Sequence, residues 1–254
     1  MIYVCIPSHD EARTVGLLLW KIRQVFTEFP REYQLLVAND GSTDSTAEVL
    51  APYARVLPLT VITHEQRRGY AATVEALLRM ALDRSDRPKR DCAVIMHADF
   101  AHDANVLPDI VRRLDSGADL VVAEGELDGE MPRARRWLRR LAPLLLGGRI
   151  RVPGVRDVVS GYAAFRLVTL RLALRERPRQ LLRTDGWAAR AELLAVAAPH
   201  ARQIESLRAP ERHDRRPRAS RVAPLEAARA LWRARRDLGG AALGVPPAQP
   251  AEST

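Results

Sequence analysis

Apolar and polar positions follow two periods along the first half of the chain. Short, mostly apolar runs at 2–7, 33–38, 56–63, 92–96 and 120–123 read as strands. Between them the spacing turns helical. Residues 11–26 set leucines and valines three and four apart behind an acidic start, and 70–82 is an alanine-rich helical stretch. Asp44 stands where it caps a helix through Leu50, and Asp103 where it caps one to Leu114, with Pro108 forcing a late start or a kink. Strands separated by helices imply a mainly parallel sheet covered on both faces. A ligand of such a sheet sits beyond the carboxyl ends of the strands. The polar clusters at 8–11, 39–44 and 97–103 fall there.

The second half is less regular. Residues 133–146 mix arginine with Trp137, Leu138, Leu141 and Leu145, and 158–165 read as a strand interrupted by Gly161. Residues 187–198 form a strongly apolar helix, 212–221 a basic loop and 224–236 an Arg/Ala/Leu helix. The Gly/Pro/Ala-rich stretch 239–254 reads as a disordered tail. There is no internal repeat.

The 254 residues are 47% hydrophobic and 28% charged, a globular composition with ample length for a core. No run reaches the roughly 18 apolar residues of a spanning helix, and nothing at the start resembles a signal peptide. Cys5 and Cys92 lie in apolar strand-like runs and read as buried thiols of a reducing compartment, not as a disulfide framework. Cytoplasmic placement, peripheral at the inner face of a membrane, is the expectation. Charge changes the picture more. Residues 1–127 hold 14 basic against 19 acidic residues, and 128–254 hold 26 against 12. Arginine provides 38 of the 40 basic residues, a bias that a GC-rich genome explains, although it does not explain their location. The asymmetry points to an anionic partner. Few aromatics are interleaved with these arginines, so no nucleic-acid partner is expected. Glycine-rich dinucleotide and P-loop motifs are absent, and the histidines and cysteines lack zinc spacing.

Four segments in order carry a resemblance: Ile6-Pro7-Ser8-His9-Asp10-Glu11, Asn39-Asp40-Gly41-Ser42-Thr43-Asp44, His97-Ala98-Asp99-Phe100 and Ser160-Gly161-Tyr162-Ala163-Ala164-Phe165-Arg166. Together they resemble the family-2 glycosyltransferases of GT-A fold, and among them the dolichyl- and polyprenyl-phosphate sugar synthases, whose patterns are I-P-x-Y-N-E, D-D-G-S-x-D, D-A-D-F/L-S-H-D and S-G-F-R-A-F-R. The resemblance covers 1–222. It implies an α/β fold with a Rossmann-like, mainly parallel sheet and one domain, divided into a nucleotide-sugar-binding half (1–127) and a basic acceptor half (128–222). A C-terminal helix (223–238) and the tail would follow. It also implies a hexosyltransferase, mannosyltransferase-like, that moves sugar from a nucleotide-sugar to a polyprenyl phosphate with inversion. Two other readings stand beside it: transfer to a hydroxyl acceptor, and a non-catalytic nucleotide-sugar-binding or regulatory homologue.

Carried over residue by residue, Pro7, Glu11, Asn39 and Asp40 would shape the nucleoside pocket, where carboxylates accept hydrogen bonds from base and ribose. Arg68 would reach the diphosphate, and a solvated surface arginine is the competing reading. Glu11 and Asp44 also suit the first turn of a helix as simple N-terminal acids. The family's D-x-D sets two carboxylates around a divalent ion that neutralises the departing nucleotide. Here it reads His97-Ala98-Asp99, with Ala101 at a further ligand position. Three readings stay open: a Mn²⁺-tolerant (or Mg²⁺) site using Asp99 and His97, a weakly metal-dependent enzyme helped by arginine, and a non-catalytic domain. In the acceptor half, Gly186-Trp187 and Glu192-Leu193 match a family helix. Asp214-Arg215 and Ser220-Arg221 match its D-R-x-x-x-G-x-S-K loop, which makes Arg215, Ser220 and Arg221 acceptor- or phosphate-binding candidates. The family's G-S-R after the fifth strand is replaced by Gly125 and neighbouring glutamates. A phosphate acceptor arrives anionic and needs positioning only. A hydroxyl acceptor needs a base, for which Asp185 is the candidate. Residues 133–146 either lie on a membrane surface, with Trp137 and the leucines inserted, or pack on the sheet with their arginines in water.

Overall fold

The computed structural model describes residues 1–125, 133–148, 150–210 and 223–238. Seven strands form one sheet: β1 (Ile2–Ser8), β2 (Tyr33–Asp40), β3 (Leu59–His64), β4 (Cys92–Ile95), β5 (Leu120–Gly125), β6 (Ala163–Arg166) and β7 (Ile204–Ala209), in the order β3-β2-β1-β4-β6-β5-β7. β6 runs antiparallel to β4 and β5, and the other neighbours are parallel. Among the described residues eight α-helices cover it: α1 (Val15–Glu28), α2 (Thr46–Val56), α3 (Tyr70–Arg84), α4 (Leu107–Asp115), α5 (Arg133–Leu145), α6 (Leu167–Glu176), α7 (Gly186–Ala197) and α8 (Pro224–Asp237).

The period-2 alternation of the strands divides the core in two. Ile2, Val4 and Ile6 of β1 join Leu35 and Val37 of β2 in a cluster under α1 and α4. Tyr3, Cys5, Leu36 and Ala38 face the other way, into a cluster with α3, α6, α7 and α8. Both cysteines are free and buried, as expected, and burial pushes the Cys92 thiol up to about 12. Asp103 accepts from the Asn105 amide (2.9 Å) and caps a 3₁₀ turn. α4 then starts late, with Pro108 in its first turn, where no amide donor is required.

Four expectations need correction. The third strand starts at Leu59 rather than 56, because α2 runs on through Pro52 to Val56 and packs Leu50, Val49 and Tyr53 on the core. The sixth strand is only Ala163–Arg166, because 157–160 turn back on Asp157, which accepts from the Val159 amide. The helix α6 and the strand β7 were not foreseen. In α6, Leu167, Leu170 and Ala173 are buried between arginines. In β7, bordered only by β5, the polar residues Glu205, Ser206 and Arg208 break the apolar run.

α5 has two apolar faces. Leu138 and Ala142 are buried, and Leu146 just past its end likewise, while Trp137, Leu141 and Leu144 are exposed. Its rotation is set by Arg139, whose guanidinium lies 2.5 Å from the Asp157 carboxylate with both side chains buried. Removing one partner strands a buried charge. Asp157→Ala is therefore expected to cost about 3–5 kcal/mol in urea unfolding; a loss below about 1 kcal/mol would mean that the pair is screened by solvent.

Candidate functional site

The carboxyl ends of β2, β1 and β4 lie side by side, and the loops that leave them line an open cleft. Pro7, Ser8, His9, Glu11, Asp40, Arg67, Tyr70, Thr73, His97, Ala98 and Asp99 line it. Two non-glycine residues adopt left-handed backbone, Asp10 (φ 49°) and Phe100 (φ 60°), and they follow the tips of β1 and β4. Such conformations persist where the surroundings over-determine them. Here the β1 and β2 tips are stitched together. The Asp10 amide donates to Ser42 Oγ (2.9 Å) and its carboxylate accepts from the Thr43 amide (2.8 Å). The Glu11 amide donates to Thr46 Oγ1 (2.9 Å), and His9 Nδ1 donates to the Asp40 carbonyl (2.8 Å).

Asp40 is the anchor of this wall. Its Oδ1 accepts from His64 Nδ1 and from the Arg68 amide, both at 2.8 Å, and its Oδ2 from the Gly69 amide at 2.9 Å. Burial alone would raise its pKa. The hydrogen bonds from His64, the two amides and Thr73 outweigh burial and hold it below the usual range. Asp10 behaves alike: burial raises it, and the Thr43 amide, His9 and the Asp44 amide bring it down. Gly41 (φ +61°) is required here, since a Cβ would lie 2.4 Å from the Arg67 nitrogen.

From Tyr70 the rings of Tyr70, His97, His102 and Tyr162 form a column with neighbouring centroids 5.6, 4.6 and 4.7 Å apart. The His97 amide donates to His102 Nδ1 (3.2 Å), and the Tyr162 hydroxyl to the Asp103 carbonyl (3.2 Å). His97 Nε2 is closed off against Gly161, where a Cβ would meet it at 2.5 Å and the Arg190 guanidinium carbon at 3.2 Å. That guanidinium, carried by α7, lies 5.1 Å from the Tyr70 ring centroid. Burial pushes the Tyr70 phenol up, the Arg190 charge pulls the other way, and the Asp185 charge adds to the rise.

The rim is built by carboxylates that hold backbone. Glu192, fully buried, pairs with Arg177 (2.8 Å) and accepts from the Arg183 and Thr184 amides (2.9 Å each). Glu75 of α3 accepts from the Leu181 amide (3.0 Å). The segment so fixed delivers Asp185 to the start of α3, where its Oδ1 accepts from the Ala71 amide (2.8 Å) and its Oδ2 lies against Gly69.

Of the candidates from the sequence, Pro7, Glu11, Asp40, His97 and Asp99 meet in the cleft. Glu11 is buried, with Oε2 accepting from Thr14 Oγ1 (2.9 Å). Asn39 does not line the cleft; it is buried, and its Oδ1 accepts from the Ser42 amide (3.3 Å). Arg68 contributes its amide to Asp40, and it is Arg67 whose residue lines the wall. Asp44 acts as a cap, accepting from the Thr46 amide (3.0 Å). Arg215, Ser220 and Arg221 lie outside the described residues. Arg67, Tyr70 and Arg190 were not singled out beforehand for this wall. Tyr70 had a signal, as the first residue of a helix that follows the glycine of a polar loop.

For a divalent ion the β4 tip offers Asp99, whose Oδ1 accepts from the Ala101 amide (3.1 Å), and His97 with its Nε2 closed off. Among the described residues no three His, Cys, Asp or Glu side chains gather as a metal site. A hard ion prefers several oxygens, so this donor set does not fit it.

The description "Glycosyl transferase family 2" belongs to the family model that matches residues 3–171. Dolichol-phosphate mannosyltransferase of Pyrococcus furiosus is 26% identical over 168 residues, 64% of this chain and 45% of that protein. Undecaprenyl-phosphate 4-deoxy-4-formamido-L-arabinose transferase of Pseudomonas aeruginosa is 26% identical over 181 residues, 70% of this chain and 51% of that protein. The chain thus spans about half the length of these curated relatives. Glucosyl-3-phosphoglycerate synthase of Mycobacterium tuberculosis, solved with Mn²⁺, UDP and glucosyl-3-phosphoglycerate, is similar in fold, with a TM-score of 0.64 and 21% identity over 94% of this chain and 78% of that one.

The depressed carboxylates set a pH dependence. A group whose folded pKa is lowered stabilises fully above its unfolded value, about 3.9 for aspartate, and that contribution is lost as pH falls through the folded value. The melting temperature of the chain should fall on acidification below about pH 4. Asp40→Asn should cost about 2 kcal/mol at pH 7 and make that acid limb shallower; an unchanged limb in thermal unfolding would show that Asp40 is not its source.

Proposed function

The chain belongs to glycosyl transferase family 2 and has the GT-A fold of a glycosyltransferase, and we propose that it moves a sugar from a nucleotide-sugar onto a polyprenyl phosphate with inversion. The observation that carries this is the convergence of Glu11, Asp40 and Asp99 on one cleft at the carboxyl ends of β1, β2 and β4. Pro7, Ser8 and Glu11 form the end suited to a nucleoside, with Glu11 accepting hydrogen bonds from base or ribose. Asp40 acts by holding the loop that carries Arg67 and Tyr70. Asp99 and Tyr70 flank the place left for diphosphate and sugar. In the transfer a phosphate oxygen of the acceptor attacks the anomeric carbon from the face opposite the leaving group. The bond to the nucleoside diphosphate breaks, and that group departs with the electron pair. The attacking oxygen is anionic at neutral pH, so the protein positions it and removes no proton. Polyprenyl-phosphate acceptors appear in the names of the relatives of similar sequence, and they motivate the choice of acceptor here.

A lipid acceptor requires access to a bilayer. No helix among the described residues is long and apolar enough to cross a membrane. α5 and α8 pack against each other and expose Trp137 (60%), Leu144 (73%), Leu225 (75%) and Trp232. Arg140, Arg229, Arg233 and Arg236 are exposed on the same two helices. Exposed tryptophan and leucine beside arginine suit the headgroup layer of an anionic membrane, so we assign this pair of helices to a peripheral membrane face.

Two measurements check these assignments. Asp185→Asn retains an oxygen to accept from Ala71 but removes a base. Turnover within about three-fold of wild type is expected for a phosphate acceptor, whereas a loss near the 10²–10⁴-fold typical of a missing base, with donor affinity retained, would mean a hydroxyl acceptor. In flotation with vesicles containing anionic phosphatidylglycerol, the chain should co-float and be released by salt. Trp137→Ser with Trp232→Ser should cut the bound fraction at least about five-fold; equal binding by the double variant would overturn the assignment to these helices.

A further inference from the structure

Diphosphate chemistry needs positive charge at the leaving group, and the donor set at the β4 tip does not hold a divalent ion well. One carboxylate, Asp99, stands there, and the position two before it is an imidazole whose Nε2 is turned against Gly161. A guanidinium occupies that neighbourhood instead. His97 Nε2 and the Arg190 guanidinium carbon meet at one point over Gly161, within 2.5 and 3.2 Å of where a Cβ would be, so only glycine admits both. Arg190 also lies over Tyr70, 5.1 Å from its ring centroid. Tyr70 lines the cleft and is the first residue of the fifteen-residue α3.

We infer that Arg190, acting through Tyr70, supplies the positive charge against the donor's diphosphate, so that nucleoside-diphosphate binding by this chain is independent of divalent metal. With the donor bound, the guanidinium over the ring is placed to donate to the phenolic oxygen, which leaves the phenolic proton to donate to a phosphate oxygen. A cation on the first atom of such a chain strengthens the second bond. A second cation bound beside Arg190 would instead be repelled. The residue is thus a positioning and electrostatic group behind the tyrosine that touches the ligand. This inference rests on the donor cleft proposed above.

The test is calorimetric titration of UDP and GDP, with uridine and guanosine as phosphate-free probes, in EDTA and in MnCl₂. Wild type is expected to bind at least one diphosphate with affinities in the two buffers that agree within about two-fold. Arg190→Gln should weaken that diphosphate at least about ten-fold and leave the nucleoside unchanged, a split that mere loss of structure would not give, and Arg190→Lys should recover part of it. Tyr70→Phe, which removes only the hydroxyl, should weaken the diphosphate at least about three-fold and serves where Arg190→Gln folds poorly. Wild-type binding that tightens ten-fold or more with Mn²⁺, or diphosphate binding unaffected by both Arg190→Gln and Tyr70→Phe, overturns the inference alone. Failure of every diphosphate to bind in either buffer overturns the donor cleft itself.

Discussion

Asp40 is 4% exposed at the tip of β2, and burying a carboxylate there is costly unless its oxygens are filled. They are filled by the loop that follows β3: His64 and the amides of Arg68 and Gly69. The same bonds that relieve the buried charge therefore decide where that loop crosses the sheet, and the crossing puts Arg67 and Tyr70 into the cleft wall. The passage is tight enough that Gly41 tolerates no side chain beside Arg67. An acid placed like a ligand-binding group thus serves first to build the wall on which binding groups stand.

The far side repeats the arrangement with different residues. Glu192 inside α7 and Glu75 on α3 accept amide protons from 181–184, and Asp185 accepts from Ala71. Three carboxylates thereby tie α3, α7 and the segment that leads into α7 into one unit. α3 is common to both sides: Tyr70 at its start lines the cleft while Asp185 holds its first turn. A shift of this rim would accordingly be felt at the cleft wall through α3, with no separate linkage required.

Much of this was legible in the sequence for a simple reason. β1, β2 and β4 are interior strands with uninterrupted apolar runs, and their polar tips are short and local. β7 and α6 were hidden because their burial comes from partners far away in the chain; β7 needs β5, 84 residues before it in the register Leu120–Ile204, to make sense of Glu205 and Arg208. The three acidic motifs do meet at one cleft, but their spacing did not show how they divide the labour there. Asn39 and Asp40 are neighbours, and strand alternation turns one into the tip turn and the other toward the loop. Arg190, Gly161, His97 and Tyr70 come from four separate elements or loops, and no spacing rule joins them.

The charge asymmetry acquires a physical meaning from this geometry. The first half contributes the acids of the cleft, and a polyanionic donor would be repelled by them if they stood bare. They do not: Asp40 and Asp10 are occupied by amides, and Glu11 accepts from Thr14. The hydrogen-bonded acids give shape and stay anionic, so positive charge for a polyanionic donor has to come from elsewhere. Under the proposals made above it comes from the second half, from Arg190 behind the aromatic column and from the arginines of α5 and α8 beside the exposed tryptophans. One surplus of arginine would then answer two needs, an anionic donor in the cleft and an anionic membrane surface. Their different settings separate them. Arg190 is partly buried among rings, where charge is weakly screened, and Arg229 and Arg233 are in water, where salt screens them strongly. Binding of the donor should therefore respond little to ionic strength over the range that detaches the protein from a membrane.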